Sequence, residues 1–292
     1  MISVSYLVSY DYDLLLTSIK QLYDDVDKIV LAIDNESKTW SGNTFKIPDS
    51  FFDEVKFFDK KDKIQFYFDQ FYLPDLTPME CESRERNMVL KKLGKGWKIQ
   101  LDVDEYIYDF KKTAKYLNKY WYLNLFPKLT PICFQGKLIT LFRELPNGYL
   151  YIDNEEKFPF ITNQTVNTRT RSNNKIKNHF SNIKVIHQSW ARSEEQIHLK
   201  IKNWGHRDDF DTEGYFQFWK RLDSSNYTEF QDIHPIVPEV WNVLEFMPSN
   251  SIDDLIAKFE INNVQVPQSL SNKIIFKAGI TRLIRKEMLA II

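Results

Sequence analysis

The chain has 292 residues, enough for one large domain or a main domain with a smaller C-terminal part, and enough to bury a substantial core. Lysine and arginine (39) nearly balance aspartate and glutamate (40), so the net charge of −1 supplies no global field for a polyanion, and nucleic acid is not expected as a partner. No run of about 18 uncharged apolar residues suggests a membrane span. The N-terminus shows no basic leader, and Asp11 interrupts its apolar run, so no secretion signal is expected. Cys81 and Cys133 lack the close spacing of a metal knuckle or redox pair and read as free thiols in a reducing cytoplasm.

"ISVSYLVS", residues 2–9, predicts a strand, and "DLLLTSIKQLYDDV" then shifts to helical spacing at Leu15, Ile19 and Leu22. "KIVLAID", residues 28–34, predicts a second strand, and strand-helix-strand order implies a crossover with parallel pairing. "EVKFF", residues 54–58, reads as a third strand. "PMECESRERNMVLKKLGKG" carries helix signals from Pro78 to the stop at Gly94 and Gly96, before the strand "WKIQLD". The first hundred residues thus predict an α/β sheet of nucleotide-binding type, in which ligands lie beyond the carboxyl ends of the strands. From about 131 to 187, "ICFQGKLITLF", "YLYIDN" and "NIKVIH" predict hairpins that extend the sheet. Helical patterns dominate after Ser189, including "SEEQIHLKIKNWG", capped by Ser193 and ended at Gly205.

Asp11, Asp34 and the acids of "LDVDEYI" all fall at predicted strand ends, which points to one shared cleft. Asp102, Asp104 and Glu105 repel one another and lose solvation in a cleft, so a positive partner is required. Asp-x-Asp at a strand end suits a divalent cation bridging to a diphosphate, because oxygen donors match Mn²⁺ or Mg²⁺.

The pieces "VSYLVSYDYDLLLTSIKQL", "VDKIVLAID", "RERNMVL" and "GWKIQLDVDEYI", in that order, resemble the bacterial family 2 glycosyltransferases, and "HQSWARSEEQIHLKIKNWGH" resembles the tail region of a subset of them. The resemblance implies a GT-A fold, a Rossmann-like mixed α/β sheet flanked by helices, over residues 1–210, with residues 211–292 as a helical C-terminal extension packed on it. It also implies inverting transfer of a sugar from a nucleotide diphosphate donor, a UDP-sugar first among them, to a glycan or lipid-linked acceptor. By the same resemblance Asp34 would recognise the nucleoside, Asp102 would face the ribose or the metal, and Asp104 would bind the metal. Tyr10 and Asp11 stand near the nucleoside, and Arg84, Arg86 and Asn87 could reach the donor from their helix. His187, at another strand end, could complete the metal shell, and Trp190 offers a face to a sugar ring. His206 and Lys202 are further candidates.

Inversion needs a carboxylate to deprotonate the acceptor. Asp153, Glu155, Glu156, Asp208 and Asp209 compete for that role, with Asp153 or Glu155 preferred because the hairpin region would border the acceptor. The C-terminal "NKIIFKAGITRLIRKEMLAII" mixes five cations with an apolar face that would pack on its own domain, on a second copy in a homodimer, or on the inner face of an anionic membrane from the cytoplasm. Two other functions fit an Asp-x-Asp: nucleotidyl or phosphoryl transfer, which would want a Gly-rich loop in place of "SYDYD", and a non-catalytic sugar- or protein-binding module on the same scaffold.

Overall fold

The computed structural model describes residues 1–203 and 209–270, with the side chains of Asn154 and Glu155 outside the described set. Glu155, Gly205, His206, Asp208 and the basic C-terminal helix therefore lie outside the described residues as sites.

The first half is the parallel part of the sheet. Strands β1 (Ile2–Leu7), β2 (Lys28–Asp34), β3 (Ile64–Asp69) and β4 (Trp97–Asp102) lie in the order β3-β2-β1-β4, with Tyr6 opposite Leu31 on one side and Leu101 on the other. β1 and all but the first residue of β2 are buried, because helices cover both faces of a parallel sheet and leave no side for water. The helices are α1 (Leu15–Lys20), α2 (Asp49–Phe58) and α3 (Pro78–Leu93). Leu15, Ile19 and Leu22 all enter the core, as their spacing predicts.

"EVKFF" is not the third strand. It is the second half of α2, whose Phe51 and Val55 are four residues apart and fall on one buried face, while the strand is the following "IQFYFD". An apolar run this short is ambiguous in period, and the helix starting after Pro48 decides it. α3 begins with a reciprocal cap: Glu80 N donates to Thr77 Oγ1 at 3.3 Å and Thr77 N donates to Glu80 Oε2 at 2.8 Å.

The second half turns the sheet antiparallel. After the short β5 (Glu105–Tyr106) and α4 (Phe110–Lys119), the long hairpin β6 (Ile132–Leu145) and β7 (Gly148–Thr162) joins the sheet by pairing β7 with β4, Ile99 opposite Ile161. β8 (Lys177–His187) runs parallel to β6, and its last two residues pair with β5, Glu105 opposite His187. α5 (Glu194–Asn203) and α6 (Thr212–Arg221) follow, then β9 (Glu245–Pro248) and α7 (Ile252–Asn262). Residues beyond 210 are thus not only helical, since β9 adds to the sheet beside β7. Phe216, Trp219, Trp241 and Leu244 pack with Phe142, Leu150 and Trp190 into a second core, which holds this portion against the hairpin. Both cysteines are buried free thiols.

Candidate active site

A cleft of about 390 Å³ opens beyond the carboxyl ends of β1, β2 and β4, and Asp11, Asp34, Asp102 and Asp104 all line it. The shared cleft is as the three acidic strand ends predict. The opposite wall comes from the second half of the chain, through Thr140 on β6, Glu156 on β7, His187 on β8 and Lys200 on α5. Because β5 pairs with the end of β8 and Gln188 N donates to the Asp104 carbonyl at 2.8 Å, the Asp-x-Asp segment is fixed against His187.

The positive partner that the acids require is supplied by the chain itself. Arg86 Nη2 donates to both oxygens of Asp102, at 2.9 and 3.2 Å, and its Nε to Glu82 at 2.8 Å. Arg171 bridges Asp102 and Glu105, with bonds of 2.8 and 2.9 Å to the Glu105 carboxylate. Arg192 lies against Asp104 and 3.4 Å from Asp11, and Lys200 Nζ is 3.8 Å from Asp104. Burial opposes ionisation of Asp104, but His187, Arg192 and Lys200 outweigh it and hold the carboxyl well below its ordinary range. Burial and the nearby Arg192 push the Lys200 ammonium down.

Several residues expected to touch a nucleotide have structural duties instead. Asp34 lines the cleft, yet Oδ1 accepts from Glu36 N and Lys38 N at 2.9 and 3.1 Å, and Oδ2 from Phe71 N and Tyr72 N at 2.8 and 3.0 Å. Those four amides use a carboxylate's capacity and tie the loop after β2 to the loop after β3, leaving nothing for a base. Arg84 donates to the carbonyls of Gln70 and Phe71, not into the cleft. Asn87 exchanges bonds with the backbone of Asn167, Nδ2 to O at 3.2 Å and N to Oδ1 at 2.6 Å. Trp190 reaches the cleft wall but is 1% exposed and packs on Tyr215 at 5.1 Å, so its indole faces are core surface, not a sugar platform. Tyr10 and Asp11 do line the cleft, half-buried.

Of the carboxylates considered for the base, Asp153 is held between Lys184 at 2.7 Å and Lys137 at 3.1 Å and does not line the cleft. Glu156 does line it. The pairing of β6 with β7 slips between Lys137 and Ile139, which face Lys157 and Asp153, so extra residues bulge from β7 there. Asp153 and Glu156 are three residues apart, an odd separation that puts them on opposite faces of a strand, and Glu156 is the one that lines the cleft.

Asp104 Oδ2 and His187 Nε2 are 3.4 Å apart, close to the about 3 Å that separates neighbouring donors on one small divalent cation. Asp102 does not join them, because its oxygens are taken by the two arginines. Among the described residues no group of three or more His, Cys, Asp or Glu donors converges. Two buried atoms of cleft-lining residues, Arg86 Nη1 and Thr140 Oγ1, have no hydrogen-bond partner. Unmet buried donors of this kind gain most from a polar ligand.

Sequence reasoning missed Arg171, Arg192, Lys200 and Glu85. Arg192 and Lys200 lie inside "SWARSEEQIHLK", the tail segment already singled out, so that segment was the available signal. Arg171 sits in the loop between β7 and β8 and has no local signature.

No protein-family model and no curated protein matches the chain. Among solved structures, S. aureus TarS 1-349 aligns with 14% identity over 50% of this chain and 38% of its own, at a TM-score of 0.32. Mannose-6-phosphate isomerase from Helicobacter pylori aligns with 16% identity over 56% and 60%, at 0.32, and HddC from Yersinia pseudotuberculosis with 14% over 56% and 74%, at 0.28. The chain therefore spans well under half of the TarS chain it aligns with, and likenesses of this depth assign no activity.

Proposed function

We propose that the chain is an inverting glycosyltransferase that takes a sugar from a nucleotide diphosphate donor, a UDP-sugar in the first instance, and passes it to a hydroxyl of a glycan or lipid-linked acceptor. The observation that carries this reading is the cleft itself. Acids at the ends of parallel strands face buried cations from α5 and its approach, and two side chains of the cleft lining carry unmet donors. No glycine-rich loop follows β1, where "SYDY" stands, which sets the site apart from one built to cradle a nucleoside triphosphate.

The nucleoside would lie on the β1–β2 side, against Tyr10, Trp40 and Phe45, with the diphosphate toward His187 and Lys200. Asp104 and His187 are the side chains that would hold Mn²⁺ or Mg²⁺, which when bound would supply charge to offset the diphosphate, and since Arg192 rests on the Asp104 oxygen that faces His187, the cation would take the place of that guanidinium there. Glu156 takes the proton from the acceptor hydroxyl, and that oxygen attacks the anomeric carbon from the face opposite the diphosphate. The bond from that carbon to the phosphate oxygen breaks, and its electron pair leaves with the nucleoside diphosphate, whose new charge Lys200 faces.

Thermal shift with a panel of nucleotide sugars and Mn²⁺ tests the reading. A true donor binds the folded state and raises the melting temperature by mass action, and release of free nucleoside diphosphate should accompany it. A panel with no shift and no release would count against the assignment.

A further inference from the structure

The chain's charge is balanced overall but not locally. Between Asp109 and Glu144 there is no acid, while Lys111, Lys112, Lys115, Lys119, Lys128, Lys137 and Arg143 occur. The reason for the first four is visible in α4. Phe110, Thr113, Ala114, Tyr116 and Leu117 turn into the core, and the exposed face left over carries Lys111, Lys112, Lys115 and Lys119. Lys112 pairs with Asp109, which offsets its charge, while Lys119 donates to the neutral Ser269 Oγ at 3.2 Å and keeps its own.

Directly after α4 the chain makes a 3₁₀ turn, Trp121–Asn124, in which Leu123 is buried. The residues around it point outward: Trp121 is 60% exposed, Leu125 57% and Phe126 59%. Single exposed apolar side chains are ordinary. Three within six residues, bracketed by Lys119 and Lys128, form an apolar tip on a basic collar. A polyanion such as nucleic acid would satisfy the collar and leave the tip in water. A lipid surface satisfies both, since aromatic and aliphatic side chains enter the headgroup boundary while lysines meet lipid phosphates.

The C-terminal side of the chain meets the same element. Tyr116 Oη donates to the Gln268 carbonyl at 2.9 Å, and Leu270 N donates to Tyr120 Oη at 2.9 Å. Leu270, the last described residue, is thus held at this face.

We propose that the segment from Lys111 to Lys128 is a membrane-docking face, which seats Trp121, Leu125 and Phe126 in the headgroup region of an anionic bilayer with the α4 lysines on the lipid phosphates. This does not depend on the reaction proposed for the cleft.

Sedimentation of the full chain with vesicles tests it, using phosphatidylcholine alone and phosphatidylcholine mixed with phosphatidylglycerol. The chain should partition into the mixed vesicles, leave them at high salt, and stay in solution with the neutral ones. The triple variant W121S/L125S/F126S should partition roughly tenfold less or weaker still, with an unchanged melting curve because the three side chains are exposed. It should also keep its retention on heparin, which reads the lysines alone. Equal binding to neutral and anionic vesicles would overturn the proposal. So would undiminished vesicle binding by the triple variant, including the case where binding disappears only in a chain ended at Leu270, which would make the C-terminal segment the anchor.

Discussion

The guanidinium of Arg192 lies against the Asp104 carboxylate with both side chains almost fully buried, 1% and 5% exposed, and its Nε donates to the Gln188 carbonyl at 3.0 Å. Arg192 thus joins the Asp-x-Asp loop to the turn after β8. Asp104→Asn would relieve repulsion among the acids if they stood alone, but here it leaves a buried arginine short of its main counter-charge. The variant should lose about 3 kcal/mol of stability in the ligand-free state. Chemical denaturation of both proteins reads this directly, and an unchanged or higher midpoint would mean the pair is not formed in solution.

Asp34→Ala should be destabilising for a different reason. Four backbone amides lose their acceptor at once, two after β2 and two after β3. Each unsatisfied buried amide costs about 1 kcal/mol or more, less where water enters. The expected loss is several kcal/mol, with Asp34→Asn intermediate because one oxygen still accepts. Retained stability with weakened UDP binding would instead restore a direct role in nucleoside recognition.

Trp190→Ala should cost about 3–5 kcal/mol, the range for removing a buried indole from a packed core. Its neighbours Phe142, Tyr215 and Trp219 belong to the core that holds the C-terminal portion, so near-ultraviolet circular dichroism should change with it. A variant of wild-type stability with impaired transfer would return Trp190 to the sugar side.

Burial raises the Glu85 carboxyl from 4.5 to about 8, with the Trp40 indole N–H, 2.6 Å away, working against the shift. The folded protein therefore holds a proton there that the unfolded chain releases above pH 4.5. Its contribution to stability is complete below that pH and falls as pH rises to about 8, at up to about 1.4 kcal/mol per pH unit. Glu85→Gln should flatten this part of the stability profile. Parallel slopes in the two proteins would show that the carboxyl is ionised in the fold.

Glu156→Gln should lower turnover by about 100-fold or more while leaving nucleotide affinity near wild type. Asp153→Asn should lower stability through Lys137 and Lys184 and leave chemistry intact in whatever protein remains folded. The reverse pattern would exchange the two assignments.

Much of the parallel half can be read along the chain. "KIVLAID" is β2 to the residue, α3 is signalled by Pro78 and by its glycines, and the acids at three strand ends do meet in one cleft. These features follow from local period, from capping chemistry and from the rule that parallel strands present their carboxyl ends together. The error at "EVKFF" has the same origin, because a five-residue apolar run satisfies both periods.

What each acid does was decided elsewhere. The need for positive charge beside "LDVDE" is legible, since carboxylates that close repel. Its source is not. Arg86 lies 16 residues before Asp102, Arg171 lies 69 after it, and Arg192 lies 88 after Asp104. Only the pairing of β4 with β7 and of β5 with β8 brings the last two within reach. The same holds for Asp34, whose Oδ2 accepts from amides of a loop 37 and 38 residues away. Local period determines which strands end in carboxylates. Contacts between distant segments determine whether a given carboxylate meets an arginine, an amide or open cleft, because that choice depends on register, and register is a property of the assembled sheet.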